Sequence, residues 1–268
     1  MTLIPKLGLG TYGRTGDEGT AAILTGIEVG YRHIDTAQSY DTEAQVGAAI
    51  RQSGLPRGDF FVTTKVADTR LAKGEFLPSV RRSLDELGMD QVDLLLIHWP
   101  SHRDAVPFED YMLALKEAQA AGHARLIGVS NFNIDYLERT RALLGDGAIA
   151  TNQIEIHPWL QGRRIVEHAR ATGLQLTAYQ PLVKGRVAED AVLGRIAEAH
   201  GVTPAAVALA FLMAEGHAVI PASSRRENLV ANYAALGVDL SPEEIAEIRG
   251  LDRGYRRINP DKSPRWDD

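Results

Sequence analysis

The chain has 268 residues, 44% of them hydrophobic, a formal net charge of -6 and no cysteine. That length builds one barrel-sized domain or two small ones, and the missing thiols exclude disulfides, thiolate metal sites and a cysteine nucleophile. Lys and Arg are scattered, which argues against nucleic acid as a partner; no apolar run approaches the ~18–20 residues of a membrane span, and MTLIPKLGLGTYG lacks the n- and h-regions of a signal peptide, so a cytoplasmic location is expected.

Short apolar runs alternate with amphipathic stretches from end to end. Strands are expected at 6–10, 33–35, 60–65, 92–98, 126–130, 150–156, 175–179 and 218–220. Helices are expected at 17–29, 42–53, 75–87, 108–121, 133–144, 163–172, 204–215 and 227–236. Two more fall at 191–200 and 242–251, the second opened by Ser241, Pro242, Glu243 and Glu244: a cap, a proline at N1 and an acidic first turn. Eight strands alternating with eight helices argue for an α/β fold of the (β/α)8 TIM-barrel type. With no linker or composition shift, it is read as a single domain over 1–268 with two extra helices. A doubly wound sheet is the alternative, because spacing does not reveal closure.

The first strand runs into Gly8-Leu9-Gly10-Thr11-Tyr12-Gly13, which fits G-x-G-x-x-G, with Asp35 about twenty residues on. Read literally this is a dinucleotide fingerprint. The strand is very short, however, and Arg14-Thr15-Gly16 separates the third glycine from the helix. A tight barrel turn in which glycine permits close backbone approach is the better reading.

The next three strands end on chemistry. Asp35 closes the second and Tyr40 follows in its loop; Lys65 closes FFVTTKV; His98 closes VDLLLIHWP. A lysine ending an apolar strand is costly to desolvate unless paired. Each residue alone has an ordinary structural explanation, but in a barrel these ends share one rim, where catalytic residues gather. A free phenol titrates near pH ~10, and an adjacent ammonium should draw it down. Asp35 would hold Lys65, Lys65 would tune Tyr40, and His98 would hydrogen-bond a carbonyl oxygen. The result is a general acid for an oxygen gaining negative charge, as carbonyl reduction by hydride requires.

"GYRHIDTAQSYDTEAQVG", "TTKV", "LLLIHWP", "IGVSNF", "NQIEIHP" and "VIPASS", in this order, resemble the aldo-keto reductase superfamily from about residue 7 to 251. Within it the chain is most similar to the bacterial 2,5-diketo-D-gluconate reductases of the short B type. The resemblance implies a (β/α)8 barrel, NADPH-dependent carbonyl reduction and a catalytic tetrad of Asp35, Tyr40, Lys65 and His98. It implies that Ser130, Asn131 and Gln153 hold the nicotinamide carboxamide, that Tyr179 stacks on the ring, and that Thr11, Pro181, Leu182, Ser223, Ser224 and Asn232 complete the cofactor site. The family's usual cations after strand eight are replaced by Ala222 and Asn228, and its glutamate by Ala231. Arg225 and Arg226 lie between and, with the helix N-terminus, are candidates for the 2′-phosphate. NADPH is expected, with NADH use also open.

Tyr12 and Trp99 are expected to wall the substrate pocket, with Trp266 of the tail a further candidate. A short lid over 101–107 suits small substrates, and Arg253, Arg256, Arg257 and Lys262 of the tail would suit acids such as 2,5-diketo-D-gluconate. Methylglyoxal fits too. Competing readings are a Schiff-base lyase with Lys65 as nucleophile and a non-catalytic cofactor-sensing subunit. The remaining histidines show no metal-ligand spacing, so no metal is expected. A monomer acting on a small molecule is expected, and the course of the tail is left open.

Overall fold

The computed structural model describes residues 4–267; residues 1–3 and 268, included in the expected domain, lie outside the described residues. Eight strands appear in chain order: β1 Gly8–Gly10, β2 His33–Asp35, β3 Phe61–Val66, β4 Val92–Ile97, β5 Ala124–Ser130, β6 Thr151–Glu155, β7 Gln175–Tyr179 and β8 Ala218–Val219. All pair in parallel in sequential order. Leu7 bridges Val219 in parallel, and the Gly10 amide donates to the Pro221 carbonyl at 2.9 Å. These contacts join the last strand to the first, so the sheet is a barrel and not the open doubly wound alternative.

The helices are α1 Gly16–Val29, α2 Glu43–Gln52, α3 Phe76–Leu87, α4 Phe108–Ala120, α5 Ile134–Leu144, α6 Arg163–Thr172, α7 Ala191–His200, α8 Pro204–Ala214, α9 Arg226–Tyr233 and α10 Pro242–Arg249. The two extra helices are α7 and α10. The latter opens on a full capping box: Ser241 accepts from the Glu244 amide, and Glu244 accepts from the Ser241 amide at 2.8 Å. The helix expected at 227–236 is shorter, because the chain tightens into a 3-10 turn at Ala234–Gly237.

Strand side chains alternate between barrel interior and helix layer. Val62, Val66, Leu95, Ile97, Ile127, Val129, Ile154 and Ala178 join the large core under the helices. On the opposite phase, Phe61, Leu94, Leu96 and Ala218 form a separate cluster with Ile4, the apolar floor of the barrel. Moving up that phase toward the C-terminal rim the residues turn polar: His33 then Asp35, Thr63 then Lys65, Gly128 then Ser130, Thr151 then Gln153. The register fixes these heights, with Lys65 opposite Leu96 and Ser130 opposite Gln153.

The glycine motif serves this packing. A Cβ on Gly8 would lie 2.7 Å from the His33 ring, and one on Gly10 would lie 3.0 Å from the Ile220 carbonyl oxygen. Both glycines let β1 press against its neighbours.

Beyond α10 the chain runs over the C-terminal rim. The Arg257 and Ile258 amides donate to the Glu155 carboxylate at 2.9 and 2.7 Å. Further on, Asp267 accepts from the Ile134 amide at 2.8 Å, and the Arg265 carbonyl accepts from Asn133 at 3.0 Å. The tail is thus pinned on both sides of the barrel mouth.

Candidate active site

Asp35 and Lys65 are fully buried. The Lys65 ammonium donates to Asp35 Oδ1 at 2.5 Å and to the Thr36 carbonyl at 2.8 Å. The second oxygen of Asp35 accepts from Gln153 Nε2 at 2.7 Å. A buried ion pair is tolerable when its remaining hydrogen-bonding capacity is met, and here both carboxylate oxygens are occupied. Burial works against the Lys65 charge, but Asp35 and Tyr40 outweigh it and hold the ammonium above the ordinary lysine range. Lys65 is therefore a permanent cation at neutral pH.

Tyr40 ends the 3-10 turn Gln38–Tyr40 that follows β2. Its ring centroid lies 4.9 Å from Lys65 Nζ, and its hydroxyl lies 3.4 Å from His98 Nε2. Ser39 Oγ is 3.2 Å from His98 Nδ1. Burial, then Lys65, then Lys262 push the His98 pKa well below the histidine range, so the ring is neutral. A neutral ring donates from one nitrogen and accepts at the other; in the tautomer with its proton on Nε2, Ser39 donates to Nδ1 and the Nε2 proton points toward the Tyr40 oxygen. The expected downward pull on the phenol exists but does not win. Burial raises the Tyr40 pKa, Lys65 lowers it, Asp35 raises it again, and the net shift is upward. The physical reason is that Asp35 cancels much of the lysine field while the buried oxygen resists charge. Tyr40 is a firmly protonated donor.

Beside this pair stands an amide cluster. Ser130 donates to the Gln153 carbonyl at 2.7 Å. Asn131 donates to the His98 carbonyl at 2.9 Å and to Ser130 Oγ at 3.1 Å, and accepts from the Tyr179 hydroxyl at 2.7 Å. Asn131 adopts φ 62°, a left-handed conformation asparagine tolerates well. Past β7, Pro181 is buried and Leu182 half-buried in a loop where Gln180 and Val183 have φ of 51° and 50°. A β-branched residue there is strained, which marks a loop held in a fixed shape.

Ser223, Ser224, Arg225 and Arg226 lead into α9. No side chain caps that helix, so its first-turn N–H groups remain available; the Arg225 amide alone turns back to Ser223 Oγ at 3.2 Å. Arg225 faces Glu227 at 3.5 Å and Arg226 faces Glu28 at 2.8 Å, both at exposed positions. Asn232 is buried on the same helix. An uncapped helix start, two serines and two surface arginines form a donor set that fits a dinucleotide phosphate; the amide cluster fits a carboxamide. Thr11 is buried with its hydroxyl donated to the Asp35 carbonyl at 3.0 Å and close to Thr42. Its side chain ties the rim together.

Tyr12 is exposed at the mouth, edge-on to Tyr40 with ring centroids 5.2 Å apart. Trp99 is buried, and Trp266 packs on it at 6.2 Å. The tail does cross the pocket. Among the described residues no group of acidic and histidine side chains is arranged to hold a metal ion.

Several contributors escape a reading of the sequence. Thr36 and Thr42 share a hydroxyl contact of 2.8 Å inside the loop that carries Tyr40. Gln38 braces it, donating to Ser79 and Ser83 and accepting from the Ala67 amide. Glu155 holds His157 and the tail. A signal existed for Glu155: it lies on the inward phase of β6, two residues beyond Gln153.

The Aldo/keto reductase family profile matches residues 6–253. A Salmonella typhi protein named methylglyoxal reductase DkgB is 46% identical over 265 residues, 98% of this chain and 99% of its own. An aldo-keto reductase of Mycobacterium sp. (strain MCS) is 39% identical, over 96% of this chain and 90% of its own. Among solved structures, one assigned as a 2,5-diketo-D-gluconic acid reductase B superposes with a TM-score of 0.93 at 39% identity, covering 99% of this chain and 94% of the other. The NADPH complex of a Gox0644 variant gives 0.90 at 32% identity, over 97% and 93%.

Proposed function

The chain belongs to the aldo/keto reductase family, and from that premise we propose that it reduces small aldehydes and ketones with NADPH, Tyr40 supplying the proton. It is an oxidoreductase acting on carbonyls. The observation that carries the proton assignment is the Tyr40 hydroxyl set 3.4 Å from His98 Nε2 and above a buried, doubly anchored Lys65.

When bound, the reduced nicotinamide would supply hydride for the carbonyl carbon. The chain's own groups act on the oxygen. His98 donates from Nε2 and orients the carbonyl; Tyr40 Oη gives its proton as charge builds there. The phenolate that remains faces the Lys65 ammonium, which stabilises it until solvent returns the proton. Asp35 and Gln153 keep that ammonium in place. Ser130, Asn131 and Gln153 would hold the carboxamide and Tyr179 the ring face. Pro181 and Leu182 would line the pyrophosphate path; Ser223, Ser224, Arg225, Arg226 and the start of α9 would take the 2′-phosphate, and Asn232 the adenine. NADH use stays open, because Ala222 and Asn228 stand where the family's usual cations are and Arg225 and Arg226 are surface groups with carboxylate neighbours. Methylglyoxal and keto-sugar acids such as 2,5-diketo-D-gluconate are the substrate classes, supported by the names the relatives carry.

Lys65 is poorly suited to a Schiff base: it is charged, enclosed and already bonded to Asp35 and Thr36. The test of the reading is loss of NADPH absorbance on adding methylglyoxal, with NADH in parallel. Carbonyl-dependent loss supports it; bound cofactor with no turnover on either substrate class would point instead to a cofactor-sensing subunit.

A further inference from the structure

We propose that Lys262 is a specificity-determining residue that binds the carboxylate of an anionic carbonyl substrate, while Asp68 holds it in position across the pocket mouth. This rests on the reductase reading above and names the group that selects among its substrates.

The tail brings four cations to the rim, and they separate. Arg253 stacks over Trp159 at 4.3 Å. Arg256 stacks over Trp266 at 4.0 Å, and its charge bears on Tyr179. Arg257 uses its backbone amide to hold Glu155. Lys262 goes elsewhere. Its ammonium lies 5.6 Å from the centre of the Trp99 ring, and its charge contributes to keeping His98 neutral. Trp99 directly follows His98 just past the C-terminal end of β4, so the cation stands at that end of the barrel.

Lys262 Nζ donates to Asp68 Oδ1 at 2.6 Å. Asp68 opens the short turn Asp68–Arg70 after β3, so the pair joins the tail to the loop leaving the lysine strand. The side chains are 33% and 20% exposed, which leaves water and ligand access. An ammonium has three donors and no acceptor. Asp68 takes one; the others remain for a substrate carboxylate. A half-exposed pair of this kind is weak in itself, so its partner can be shared or exchanged at little cost. A neutral dicarbonyl carries no charge to pair with this cation and should depend on it far less.

The experiment compares kcat and KM for methylglyoxal and 2,5-diketo-D-gluconate, with NADPH saturating, in wild type, Lys262→Met, Lys262→Arg, Asp68→Asn and Arg256→Met. Lys262→Met is expected to raise KM for the keto acid about tenfold, one charge-assisted contact, while any change in kcat through His98 falls alike on both substrates and KM for methylglyoxal stays within about twofold. Lys262→Arg should retain most of the acid affinity. Asp68→Asn should lower KM for the acid, because the amide oxygen still accepts from the ammonium and holds it in place while the competing negative charge is gone. Equal rises in KM for both substrates, no change on either, or a loss confined to Arg256→Met would overturn the proposal. So would wild type that reduces methylglyoxal but not the acid, which leaves the reductase reading standing. Wild type that reduces neither removes that reading itself.

Discussion

Gln153 on β6 reaches across the barrel to Asp35 on β2, donating at 2.7 Å to the carboxylate oxygen that Lys65 does not use. The Lys65 ammonium beside Tyr40, the proposed general acid, is therefore held by side chains from three strands.

Removing one member of that set should cost stability as well as rate. Asp35→Asn leaves the Lys65 ammonium buried without a counter-charge, a loss on the order of 3–5 kcal/mol. Gln153→Met removes one hydrogen bond to a charged group, about 1.5–3 kcal/mol. Chemical denaturation of both variants should rank them in that order. Equal stability of Asp35→Asn and wild type would mean that Lys65 is not charged in the folded protein.

Glu43 provides a stability test away from the chemistry. It is buried between α2 and β3, bonded to Thr64, with its pKa pushed up to about 7 mainly by burial. In the unfolded chain the same group titrates near ~4.3. Between these values the folded state binds more protons, so its contribution falls as pH rises from about 4.5 to about 7. Glu43→Gln should raise the melting temperature at pH about 8 and leave it unchanged near pH 4. A destabilised variant at the higher pH would show that the carboxylate is needed charged.

Histidines act with the opposite sign. His33 and His217 have pKa values lowered to about 4, chiefly by burial. The unfolded state takes up their protons first, near pH ~6.5. Their stabilising contribution is complete above that pH and declines as pH falls toward about 4. His217→Gln should flatten part of the acid-side decline in melting temperature. An unaltered slope would rule out His217 as a contributor.

Glu155 should govern the tail. It accepts the Arg257 and Ile258 amides and the His157 ring. Glu155→Ala should speed hydrogen exchange at those two amides by an order of magnitude or more, a shift of about 1.4 kcal/mol, and should weaken the packing of Trp266 on Trp99. Unchanged exchange would mean that the contacts of Arg265 and Asp267 hold the tail alone.

The barrel was legible because its signals are local: VDLLLI at β4 is an apolar run of strand length, and Ser241 to Glu244 encode a cap. Asp35, Lys65 and His98 were legible because polar groups ending apolar strands demand partners. What could not be read was partnership across the barrel. Gln153 and Asp35 are 118 positions apart, and only closure brings them together. The direction of the Tyr40 shift was misjudged for a related reason: residue types announce the lysine, but the depth of burial that opposes it comes from packing. The four tail cations looked alike in sequence; ring stacking and ion pairs send them to different places.

The central claim is that the Tyr40 hydroxyl gives the proton. It is tested most directly by pre-mixing the protein with NADPH, adding methylglyoxal, and following a single turnover in wild type and Tyr40→Phe while cofactor binding is measured by fluorescence. The account predicts that the variant binds NADPH as wild type does and that hydride transfer slows by a factor of about 10²–10⁴, the usual contribution of a positioned acid. Transfer at the wild-type rate with Phe at position 40 would contradict it.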